Sequence, residues 1–169
     1  MIKQPLLITL IDLTIFQAIW WLGVLVGQAA LLSLVLLLCL HLVLINQHLQ
    51  RDLLALLVLA PLGWMLDLSL QAWGFWSLQT ALPFWLLMIW AGFILSLFYS
   101  LAWLAKLPIF IQSLIGGIGG ALSYLAGFKL GAISFIYPVF NTSLGLFFIW
   151  ALFLPLLILG LDLFESSDD

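Results

Sequence analysis

Charge is what this chain has least of: four Lys and Arg and seven Asp and Glu in 169 residues. A soluble domain is excluded, because 66% of the residues are apolar and the mean hydropathy is +1.33, leaving too little polar surface to cover a core. The four cations are scattered at segment ends, so there is no basic patch and no nucleic-acid partner is expected. A single cysteine, Cys39, excludes an internal disulfide and a thiolate metal cluster; inside an apolar run it reads as a small buried hydrophobe. Two histidines, His41 and His48, lack the partners and spacing of a zinc site, and neither metal nor cofactor is expected. The glycine run Gly116-Gly117-Ile118-Gly119-Gly120 lacks the Lys and Ser/Thr of a phosphate-cradling loop.

What is present is long apolar runs. A helical span needs about 20 apolar residues, so the length allows about six spans and no extramembrane domain. The expected fold is all-α, a polytopic integral membrane protein forming one transmembrane domain over residues 1–169, with spans near 5–26, 29–45, 53–71, 83–105, 109–128 and 144–164. Lys3 before an apolar run imitates a signal peptide. The run nevertheless carries Asp12 and Gln17 and passes Trp20, Trp21 and Gly27 without a small-residue cleavage signal, which predicts a retained first span. Pro61 and Pro155 fall inside spans and predict kinks. Placing Lys129 mid-membrane would cost about 3 kcal/mol or more, so residues 130–140 are expected at the interface or as a re-entrant piece. Asn141, Thr142 and Ser143 are expected to cap the last span.

Lys3, Arg51 and Lys106 would share one side with both termini, against Lys129 on the other, which predicts that both termini are cytoplasmic. Trp73, Trp76 and Trp85 would then mark the outer interface and Trp103 the inner one, with the remaining Trp and Phe mostly facing lipid. Helix rise converts sequence distance into depth. Asp12, His41 and Ser100 each lie about six residues, ~9 Å, inside the inner boundary. They form a candidate inner cluster that either binds a proton or head group or serves as glue between helices. Asp67 and the pair Ser123 and Tyr124 reach a second, outer depth. Trp64 and Gln71 share the Asp67 face at i−3 and i+4, and with Trp85 they complete a candidate outer binding pocket. No catalytic residue is assigned; His41 with Ser100 is the sole constellation that an intramembrane enzyme could use.

Residues 113–131 hold six of the thirteen glycines. At 100° per residue, Ser113, Gly116, Gly117, Gly120, Ser123, Tyr124, Gly127 and Gly131 share one side. Small residues let another backbone approach where lipid supplies no hydrophobic drive, so Gly116, Gly120, Gly127 and Gly131 are read as packing positions.

The chain resembles an uncharacterised bacterial inner-membrane family, the domain of unknown function twenty-eight seventy-eight. The resemblance rests on Leu62-Gly63 before Asp67, then Pro83, Trp85 and Trp90, then Ser100-Leu101 and Trp103-Leu104. It continues through Gly119-Gly120, Ser123-Tyr124, Ala126-Gly127 and Leu130-Gly131-Ala132. It implies a lipid connection, since members are often encoded beside enzymes of the cyclopropane-synthase type. The leading expectation is an accessory protein that binds or presents membrane lipid, or another membrane protein or second copy, in a groove between spans three, four and five. A small transporter or flippase-like carrier is the alternative, and a lipid-modifying enzyme the third.

Overall fold

The structure, a computed structural model, describes residues 5–78 and 82–165. Lys3, used above for the orientation, lies outside the described residues. The architecture is all-helical: α1 Leu6–Val26, α2 Leu31–Leu44, α3 Leu49–Ala72, α4 Phe84–Phe98, α5 Ile109–Lys129 and α6 Val139–Glu165. Four stretches are long and apolar enough to cross a membrane: Leu6–Leu44, Leu49–Ala72, Ile109–Lys129 and Val139–Phe164. The first is a single helical run folded back on itself at Gly27, whose φ of 64° suits a residue without Cβ. α2 and α4 are short, 14 and 15 residues. The chain is thus a multi-pass membrane protein by length and composition.

Both ends of the bundle are tied. At one end, Tyr99 beyond α4 receives a hydrogen bond from the Gln47 amide and donates to Asp52 at the start of α3. At the other, a two-residue strand β1, Trp76–Ser77, pairs antiparallel with β2, Ser134–Phe135. Residues 130–140 are therefore a tight turn at Gly131 (φ 80°), the β2 strand, and the start of α6.

The most buried helix is α4, with Trp85, Trp90, Ala91, Gly92 and Ile94–Phe98 enclosed by α1, α2 and α3. α5 and α6 form a close hairpin beside it. Added Cβ atoms at Gly116 and Gly117 would meet the Trp150 and Phe147 carbonyl oxygens of α6 at 2.6 and 2.9 Å, and one at Gly120 would run into the Trp150 ring. Gly116, Gly117 and Gly120 therefore do pack a helix, and that helix is α6. Gly127 is buried more loosely, with the Ile133 side chain 3.8 Å from an added Cβ. Gly131 is not a packing position: it follows the helix and nothing lies within 4 Å of an added Cβ.

Several element ends differ from expectation, each for a tertiary reason. α3 starts at Leu49, ahead of the expected residue 53, because Asp52 belongs to its first turn, where a carboxylate suits the positive helix end. α6 starts at Val139, ahead of 144. Pro138 accepts the Thr142 amide at 3.0 Å, and the buried Thr142 hydroxyl bonds back to Tyr137 and Pro138 carbonyls, so Asn141-Thr142-Ser143 is not the cap. α4 stops at Phe98 instead of 105, and residues 102–106 form a 3₁₀ turn. Cys39 is exposed on α2. Trp76 and Trp85 are 0% and 4% exposed and are not interfacial markers; Trp73 and Trp103 are exposed.

Candidate functional site

Asp12 and His41 come together because α1 and α2 are antiparallel neighbours and each residue lies within two turns of the same end. Both are buried, and His41 Nε2 and Asp12 Oδ1 share a hydrogen bond of 2.6 Å. The second carboxylate oxygen of Asp12 accepts the Ser100 backbone N–H at 3.0 Å. That bond explains the early end of α4. The Ser100 amide turns to the carboxylate, while Tyr99 N and Leu101 N both share the Ser96 carbonyl at 3.1 and 2.7 Å. Ser100 thus joins the cluster through its main chain. Its hydroxyl is buried without a partner, as is His41 Nδ1, so no Ser–His bond exists to activate a nucleophile.

Beside this pair lies a second network missed in the sequence. Asp52, fully buried, accepts from Tyr99 Oη at 2.5 Å, from Asn46 Nδ2 at 3.0 Å, and from Arg51 at 2.7–2.9 Å. The Arg51 guanidinium lies 4.2 Å over the Phe98 ring. Asp52 looked like a solvated loop residue because its neighbours are polar; the signal available was its place at a helix start.

The outer group is built by glycines. Gly63 and Asp67 are one turn apart on α3. A Cβ at Gly63 would collide with the six-membered part of the Trp90 ring, so its absence seats that indole against α3, where Trp90 Nε1 donates to Asp67 Oδ2 at 2.6 Å. Tyr124 Oη donates to Oδ1 of the same carboxylate. Trp90 stacks on Trp150 with centroids 5.3 Å apart and planes 4° off parallel, and Gly120 makes room for Trp150 in turn. Two glycines thus admit two indoles between α3 and α5, and the stack holds the α5–α6 hairpin against the rest.

Of the other outer residues, Trp64 turns away, donating to the Pro83 carbonyl at 3.1 Å and stacking on Phe84. Gln71 is not at the cluster, and its Oε1 is buried without a partner. Ser123 faces α1, accepting from Trp20 Nε1 at 3.1 Å.

These contacts enclose a cavity of about 510 Å³. Its walls are α1 (Phe16, Gln17, Trp20), α4 (Trp85, Ile89, Phe93) and the glycine face of α5, with Asp67 and Tyr124 also lining it. The groove therefore runs between α1, α4 and α5, and α3 contributes Asp67 alone; the expected wall of α3 is replaced by α1. Gln17, Trp103, Gly119 and Leu122 are exposed lining residues, so the cavity opens to the outer surface of the bundle. Trp90, Trp150 and Gln17 escaped the sequence reading as site residues. Tryptophan in a membrane chain suggests interface or lipid, and one amide in a long apolar run sets up no period.

Among the described residues no three His, Cys, Asp or Glu side chains come together to hold a metal. A family model described as a protein of unknown function, DUF2878, matches residues 9–156. No curated protein and no solved structure matches.

Proposed function

The chain belongs to the DUF2878 family, and from that premise, which carries no activity, we propose that it is an accessory protein binding or presenting a membrane lipid in the cavity between α1, α4 and α5. In this reading all six α-helices cross a bacterial inner membrane and both termini are cytoplasmic. Arg51 and Lys106 at one end of the bundle and Lys129 at the other agree with that orientation. The observation that carries the proposal is the cavity itself: about 510 Å³, within the size range of ligand sites, apolar over most of its wall and open to the bilayer instead of to water.

Gly119 supplies the test. It lines the cavity, and nothing lies within 4 Å of a Cβ placed there, so Gly119→Leu fills the space without touching the α6 contact. The protein is purified in mild detergent and its retained lipids are quantified by mass spectrometry after organic extraction. The wild type is expected to retain stoichiometric lipid and Gly119→Leu to lose most of it at unchanged thermal stability. Equal retention by both would overturn the proposal.

A further inference from the structure

The cavity wall says which kind of lipid fits. No Lys, Arg or His lines it, and its ionisable members are Asp67 and Tyr124. Those two are spoken for: the Asp67 oxygens accept from Trp90 and Tyr124, and Tyr124 gives its proton to Asp67. A phosphate placed here would find no cation on the wall to compensate its charge. Among the described residues, the Nε1 groups of Trp76 and Trp150, both lining residues, are buried without a partner, and one side-chain amide on the wall is free. Gln17, near the middle of the 21-residue α1, lines the cavity and is exposed, and no hydrogen bond among the described residues engages its amide. Across the cavity, Ser123 accepts from Trp20, leaving its hydroxyl proton to donate. An amide at mid-membrane depth costs free energy until something bonds it.

We infer that the cavity takes an uncharged lipid whose carbonyl or hydroxyl oxygen bonds Gln17 and Ser123 at mid-membrane depth, and that it rejects anionic phospholipid. This rests on the lipid-cavity reading above and narrows it. Phe16, Trp20, Trp85 and Phe93 offer ring faces to the apolar body. Two sources share this chemistry, a diacylglycerol and a prenylated quinone, and the same groups would hold either.

The full chain is reconstituted in nanodiscs with photoactivatable diacylglycerol, prenylquinone or phosphatidylglycerol, and the labelled peptides are identified by mass spectrometry. One or both uncharged probes are expected to label the facing segments of α1 and α5, while phosphatidylglycerol does not. Gln17→Leu, which removes an unbonded amide and leaves folding intact, is expected to cut that labelling about three- to tenfold, the worth of one hydrogen bond. Labelling by phosphatidylglycerol equal to that of the uncharged probes, or unchanged labelling of Gln17→Leu, overturns the inference while leaving a lipid cavity. Absence of labelling by all three probes, with Gly119→Leu also without effect, removes the lipid reading and this inference together.

Discussion

Two buried carboxylates, Asp12 and Asp67, sit at opposite ends of the same bundle and are used differently. Asp12 is held by a histidine and by a main-chain amide surrendered from a helix end, and neither Asp12 nor His41 lines the cavity. Asp67 is held by an indole and a phenol that themselves wall an open space. The first arrangement clamps α1, α2 and the end of α4 together. The second positions the lining of a cavity. Burial of an acid in a membrane protein therefore does not by itself mark a binding site; what matters is whether its partners border empty space.

The comparison breaks most sharply at Asp12. Asp12→Ala leaves His41 and the Ser100 amide buried and unpaired, and by analogy with broken buried pairs it is expected to cost about 3–5 kcal/mol. Loss of folded protein in a detergent thermal-stability assay, with little accumulation in membranes, is the expected result. Stability near wild type would mean that the clamp is dispensable.

Asp67 gives the intermediate effect. Asp67→Leu strands the Trp90 N–H and the Tyr124 hydroxyl at an expected cost of about 1–3 kcal/mol. Asp67→Asn can accept from Trp90 and donate to Tyr124, so it is expected within about 1 kcal/mol of wild type. A loss for Asp67→Asn as large as for Asp67→Leu would show that the charge itself is required there, and the contrast with Asp12 would fail.

Ser100→Ala is expected to be the smallest, within about 0.5 kcal/mol, because the residue serves Asp12 through its backbone and its hydroxyl has no partner. Loss of function in a stable Ser100→Ala protein would restore a chemical role to that end of the bundle.

These contrasts also show what could be read from the chain alone. Counting residues from each loop placed Asp12 level with His41, and Asp67 level with Tyr124, because a straight helix turns sequence distance into depth. Periodicity put Gly116 and Gly120 on one face but could not say which helix lies against it; α6 does, through Trp150. The end of α4 at Phe98 was hidden, since it depends on a carboxylate 88 residues away taking the Ser100 amide. Trp64 shares a nominal face with Asp67 yet faces the Pro83 carbonyl, because neighbours i−3 and i+4 subtend a wide arc and a side chain chooses within it. Asp67, Trp85, Ser123 and Tyr124 of the expected outer pocket do line the cavity, but its α1 wall had no sequence signature, being set by which segments pack on which.

The spacing along the chain of the bonds around these two acids sets an order of assembly. His41 follows Asp12 by 29 residues, so the α1–α2 hairpin carries its own partner for the acid and need not hold an unbonded carboxyl group while the following helices are made. The cavity closes only when Trp20 finds Ser123, 103 residues later. A nascent chain halted before α5 would therefore hold a hydrogen-bonded, clamped core and no cavity, which makes that space a late feature of the protein to form.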